Sequence, residues 1–201
     1  MIRSTLSALI LLALAALFAA CNAPAPTLTT TNSNSNNTAP TAVSPGMPPP
    51  TSSVPGDLTF KTPDGWTAEQ PSSSMRVAQY KLPGEAGDAS LVIFYFGQGQ
   101  GGKVEDNFDR WIGQMQQTRD KAKTENLTVN GMPVTLLDVT GTYSGDTMGG
   151  TSAAQPNSRM RAAVIESPKG NYFIKLVGPE KTITRWDDAF ISFIKSAEFK
   201  K

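Results

Sequence analysis

The chain has no histidine and a single cysteine, Cys21. Without histidine, metal ligation by imidazole, imidazole general-base catalysis and Ser-His-Asp triads are all excluded. One cysteine excludes an internal disulfide, so the folded part must stand on packing alone. Neither sign of charge dominates: 18 Lys and Arg face 17 Asp and Glu in 201 residues. A near-neutral surface argues against nucleic acid and against a strongly anionic membrane footprint. No apolar run suits a bilayer span, whose hydrocarbon core of roughly 30 Å takes about 20 apolar residues. No internal repeat is present.

The most informative segment is the N-terminus. One positive charge, Arg3, precedes an apolar run from Leu6 to Ala20, and small residues Ala19 and Ala20 lead directly into Cys21. Charge, short apolar core and small residues are the order of a secretory leader, so residues 1–20 are read as a signal peptide. Leu17-Phe18-Ala19-Ala20-Cys21 resembles the bacterial lipobox, with Phe18 where leucine is usual. That resemblance implies cleavage before Cys21 and a diacylglyceryl thioether on its sulfur. Acyl chains contribute about 0.8 kcal/mol per buried CH₂, and two or three of them hold a protein stably on a membrane. The expected place is the extracytoplasmic face of the cell membrane or outer membrane, as a lipoprotein. Asn22 is not the aspartate of inner-membrane retention.

From Asn22 to Gly56 there is neither a charged nor an aromatic residue, and Pro, Thr, Ser and Asn dominate. Such a stretch buries too little apolar surface to offset the entropy of ordering it. Residues 21–56 are therefore read as a lipidated cysteine and a disordered tether. A flexible chain of that length reaches about 30 Å, and its prolines extend it further. Residues 57–201 are the right size for one domain with its own core.

Within that domain Leu58–Lys61 alternates as a short strand and runs into Pro63-Asp64-Gly65-Trp66. Met75–Leu82 alternates again, and Leu91–Phe96 is apolar at every position. An unbroken apolar strand predicts cover on both faces, hence three layers. Val104, Phe108, Trp111, Ile112 and Met115 form one helical stripe; Ile183, Trp186, Phe190, Phe193 and Ile194 form a second over about Glu180–Lys195. Strands are predicted near Lys123–Val129, Val134–Thr142, Met160–Ser167 and Tyr172–Val177. Asn130-Gly131 and Ser167–Asn171 supply hairpin turns. Close hairpins make the sheet antiparallel, so the class is α+β, one antiparallel sheet flanked by helices.

This order of elements, with Pro63, Asp64, Gly65 and Trp66, resembles the PsbP-like family, which includes the extrinsic subunit P of photosystem II. The resemblance covers about Asp57 to Lys201. It implies an α/β/α sandwich and a non-catalytic scaffold that docks onto other proteins. No functional residue of the family transfers.

Gly97–Lys103 matches the spacing of a phosphate-binding loop, but Val104 stands where the Mg²⁺-binding Ser or Thr belongs. With an antiparallel sheet and a compartment without ATP, a nucleotide is not expected. Asp187 and Asp188 are adjacent on a helix, diverge, and are read as its solvated face and not as a hydrolytic pair. The segment Gly141–Ser158 is long for a hairpin loop, and long loops are functional or disordered. Tyr143 from it, with Arg159 and Arg161 on one side of the next strand, forms the candidate patch for an anionic or peptide partner. The competing reading is solvated charge on a sheet edge.

No cofactor and no catalysis are expected. The leading expectation is an envelope interaction module that docks onto a protein or complex. The alternative is a small-molecule binder or a carboxylate hydrolase. A flat apolar face favours docking, whereas a concave aromatic pocket favours a small ligand.

Overall fold

The computed structural model describes residues 51–145 and 153–200. The expected signal peptide, Cys21 and the tether as far as residue 50 lie outside these. Among the described residues no helix is long and apolar enough to cross a membrane.

Among the described residues, ten strands and two α-helices make an α+β arrangement. In chain order the strands are β1 (Thr51–Val54), β2 (Leu58–Lys61), β3 (Thr67–Glu69), β4 (Arg76–Leu82) and β5 (Ala89–Tyr95). Helix α1 (Val104–Gln114) follows, then β6 (Lys123–Val129), β7 (Met132–Tyr143), β8 (Gln155–Ser167) and β9 (Gly170–Pro179). Helix α2 (Glu180–Lys195) and β10 (Glu198–Phe199) close the chain. Seven strands form one antiparallel sheet in the order β3-β4-β5-β9-β8-β7-β6. A second, three-stranded sheet, not expected from the sequence, pairs β1-β2-β10. The chain thus pairs from Thr51, ahead of the expected boundary after residue 56, because Thr51–Val54 lies in register against Leu58–Lys61. The β6–β7 turn is Asn130-Gly131, both at positive φ (48° and 82°), which matches the twist of a two-residue hairpin.

The two helices lie on opposite faces of the large sheet. Residues alternate along β7 and β8: Val134, Leu136, Ala163 and Ile165 join the α2 core, while Leu137, Val139, Ala162 and Val164 join the α1 core. That is the period of two at work. Cover is unequal, however. On the α2 side the small sheet and Trp66 add to the helix, and Phe60 stacks on Phe193 with ring centroids 4.6 Å apart. On the other side, α1 stands over β7, β8 and β9. Seven strands spaced by about 4.8 Å make a sheet roughly 30 Å wide, and a helix of about 10 Å diameter covers only part of it. The part left open is the surface of β4, β5 and the near side of β9.

Candidate functional site

Arg159 and Arg161 are not solvated charges on an edge. Strand β8 lies between β9 and β7, and the side chains of both arginines point to the α2 face at 13% and 11% exposure. Arg159 donates from Nε to Asp138 Oδ1 (2.8 Å) and from Nη2 to Asp138 Oδ2 (2.8 Å) and Asp187 Oδ2 (2.9 Å). Arg161 pairs with Asp138 (3.3 Å) and Asp187 (2.8 Å). Two arginines and two aspartates thus neutralise one another in a ring joining β7, β8 and α2. Asp187 is accordingly part of that ring and not of a solvated face; Asp188 is exposed, as expected. Hydrogen bonds to Asp138 hold the Arg159 guanidinium still further above its ordinary pKa than burial lowers it.

Tyr143 sits on the opposite face, buried in the α1 core, with Lys175 Nζ 5.7 Å from its ring centroid. The three residues of the expected patch are therefore not brought together. The loop they were expected to flank is also shorter, since Gly141 pairs with Ser158 and Tyr143 with Gln155. Only residues 144–154 connect the strands, and 146–152 of these lie outside the described residues.

What the structure assembles instead is a groove of about 700 Å³ on the open part of the α1 face. Phe94, Phe96, Phe173 and Trp111 form its apolar wall. Phe96 lies 6.2 Å from Phe94 and 5.9 Å from Phe173, ring to ring. Among the described residues the exposed large hydrophobics are Met75 (41%) and Phe96 (43%), and both line this groove. Its polar lining includes three cations, Arg76, Arg110 and Lys175, and no carboxylate among the described residues. Each cation donates to a neutral side-chain amide: Arg76 to Gln79 (2.8 Å), Arg110 to Asn107 (2.5 Å) and Lys175 to Gln114 (3.4 Å). A second hollow of about 630 Å³ shares Arg76 and Lys175 and is bordered by Glu69, Lys81, Asp88 and Tyr143. Among the described residues no group of three or more His, Cys, Asp or Glu is placed to hold a metal.

The glycine-rich segment that imitated a phosphate loop forms one end of the groove. Buried Asn107 ties it down, donating from Nδ2 to Gly101 O and Lys103 O, both at 2.8 Å. Gly101 has φ 88°, and a Cβ there would fall 2.4 Å from Phe173 Cε2. Only glycine lets the backbone lie on that ring. We expect Gly101→Ala to destabilise the fold by about 1–3 kcal/mol through a left-handed backbone and overpacking. Urea unfolding checks this; an unchanged midpoint would mean that the loop lifts off freely.

Sequence reading missed this site for a definite reason. The unbroken apolar run and the helical stripe place Phe94, Phe96 and Trp111 in the core. Burial holds for Trp111, but Phe94 is half-buried and Phe96 is exposed because α1 does not extend over β5. The available signal was arithmetic: one short helix per face cannot roof the predicted number of strands.

No family model matches the chain, and no curated protein matches it. Solved structures that it resembles include the cyanobacterial PsbP protein CyanoP from Synechocystis, at 14% identity and TM-score 0.47 over 80% of this chain and 98% of that one. A protein of unknown function from Pseudomonas aeruginosa, PA94, matches at 15% identity and TM-score 0.43, covering 68% and 98%. A structure from Bacteroides thetaiotaomicron matches at 9% identity and TM-score 0.47 over 77% of this chain and 50% of that one. These likenesses concern the backbone arrangement and assign no role to any residue.

Proposed function

We propose that this chain is a lipid-anchored, extracytoplasmic binding protein that holds a small ligand in the α1-side groove, without bond chemistry of its own. The leader, the lipobox-like stretch and Cys21 support the anchor. The groove supports the ligand: it is concave, walled by aromatic rings and within the volume range of small-molecule sites, roughly 300–1,000 Å³. A flat face would have favoured docking onto an envelope protein; the concavity favours the alternative.

Two measurements test this. Cys21→Ser is expected to move the mature protein from the membrane to the soluble envelope fraction and to remove acyl mass from its N-terminal peptide. Membrane retention with unchanged mass would refute the anchor. In a thermal-shift screen of small molecules, the full chain is expected to be stabilised by a compound class that leaves the Phe96→Glu variant unshifted. Phe96 is exposed enough for that variant to fold. If no compound separates the two while crosslinkers at position 96 recover one envelope protein, the protein-docking reading replaces this one.

A further inference from the structure

We infer that the ligand is an extended oligopeptide of about six residues, lying along β5 with a large apolar residue at its Phe96 end. This rests on the groove reading above and gives the occupant a length and a direction. The groove of about 700 Å³ and the hollow of about 630 Å³ share Arg76 and Lys175 in their linings, so they run into one another over the open face of the large sheet. Even-numbered residues of β5 face this side, because Leu91 and Ile93 belong to the α2 core. Phe94 and Phe96 line the first hollow, Ser90 and Val92 the second. From Ser90 to Phe96 is about six strand steps of roughly 3.3 Å, or about 20 Å. An extended peptide has the same rise, so about six of its residues cover the run. A compact molecule of one or two rings would fill one hollow and leave the other in water.

The change of polarity along the run decides between elongated occupants. In register across β5 and β9, Phe94 sits beside Phe173, Val92 beside Lys175 and Ser90 beside Val177. On the other flank, Gln79 and Lys81 of β4 stand beside Val92 and Ser90. Four aromatic rings thus gather in the first hollow, where Phe96 and Met75 leave apolar surface in water. Among the described residues Tyr143 is the one ring bordering the second, and it is buried in the α1 core. The second hollow instead has exposed Glu69, Lys81 and Asp88 around it, with both signs of charge. Glu69 accepts from Gln79 Nε2 (3.0 Å) and Asp88 from the Gly84 N–H (3.4 Å), and each carboxylate keeps further lone pairs. A peptide backbone carries one N–H and one C=O per residue and matches a lining of donors and acceptors together. An amphiphile with a headgroup of one sign would meet like charge there. A glycan of repeating sugars would call for rings along the whole run.

The test pans the full mature chain carrying Cys21→Ser, detergent-free, against a phage-displayed library of random hexapeptides. Selected sequences are then measured as free, fluorescein-labelled peptides by polarisation. They are expected to share an aromatic or large aliphatic residue at one end. Cutting such a peptide to the three residues at that end should weaken it about tenfold or more, since the second hollow is then empty. Phe96→Glu should abolish binding and Lys81→Glu should weaken it about fivefold, while Asp188→Asn on α2 should change nothing. Replacing the apolar end residue of the peptide by alanine should cost much less in Phe96→Ala than in the native chain, a coupling that places that end at Phe96. Tripeptides as tight as hexapeptides would overturn the extended occupant and leave a compact site. Selected peptides unmoved by Phe96→Glu bind elsewhere and would equally overturn it. No selected peptide, with Phe96-dependent binding of chitohexaose or of a compound in the thermal screen, would overturn the peptide class and leave the groove standing. No selected peptide and no compound or glycan that distinguishes Phe96→Glu would remove both the class and the groove.

Discussion

Replacing Phe193 by alanine is expected to cost about 3–5 kcal/mol, the largest effect of any single change considered for this fold. The side chain is wholly buried on α2. It stacks on Phe60 of β2 at 4.6 Å, meets Trp66 at 5.1 Å and meets Tyr80 of β4 edge-on at 6.0 Å. One ring therefore joins the small sheet, the Pro63–Trp66 turn, the large sheet and the helix. Truncation loses the transfer energy of the ring and leaves a cavity whose aromatic neighbours are themselves held from other sides, so collapse is poor. In a domain of this size the loss corresponds to a fall in Tm of roughly 6–20 °C. Phe193→Leu keeps most of the volume and should cost no more than about 1.5 kcal/mol. Urea unfolding followed by tryptophan fluorescence measures both variants. A loss below 1 kcal/mol for alanine would show that the small sheet docks without this cluster.

The same cluster shows how far the sequence could be read. Helix α2 occupies the expected range, Glu180–Lys195, since five apolar residues at helical spacing leave little choice of boundary. Strands β2 and β6 also fall where alternation and the Asn130-Gly131 turn put them. What was not legible is made by pairing and not by pattern. Strands β1 (TSSV), β3 (TAE) and β10 (EF) have no alternation to detect; each is a strand because a neighbour supplies its hydrogen bonds. Likewise Gly141, Pro156 and Asn157 look like loop residues, yet β7 and β8 continue through them, accommodating the irregularity as a register shift between Gly141 and Tyr143. Asn157 takes φ 53° inside the strand. The site was hidden for a related reason. Residue type distinguishes apolar from polar, but whether Phe96 is core or surface depends on where α1 lands. Arg159 and Arg161 were visible as a pair on one side of a strand, and only topology reveals that this strand is central.

Asp138→Asn should be the most damaging polar substitution, and the damage should depend on pH in a defined direction. Asp138 is the shared acceptor of the ring: Arg159 reaches it through two N–H groups at 2.8 Å, and Arg161 lies 3.3 Å away. Removing its charge leaves two arginines facing Asp187 alone. Breaking a buried pair typically costs 3–5 kcal/mol. With Asp138 at 21% and Asp187 at 29% exposure, water recovers part of this, and about 2–3 kcal/mol at pH 7 is expected. Burial pushes the Asp138 carboxyl up, but the Arg159 hydrogen bonds and the charges of Arg159, Arg161 and Lys123 outweigh it, so its pKa lies below the ordinary value of 3.8. A carboxyl depressed in the folded state contributes stability that is present in full above the unfolded pKa and is lost as pH falls through the folded one. The native protein should therefore lose stability below about pH 4 faster than Asp138→Asn does, and the gap between the two should narrow toward acid. Urea midpoints of both proteins across neutral and acid pH measure it. A gap that stays constant with pH would mean that the loss comes from hydrogen-bond geometry and not from charge. A combined replacement of Asp138 by leucine and Arg159 by methionine separates the two further. It removes one charge of each sign and should recover most of the lost stability, because a buried ion pair is worth little more than the apolar contacts that can replace it.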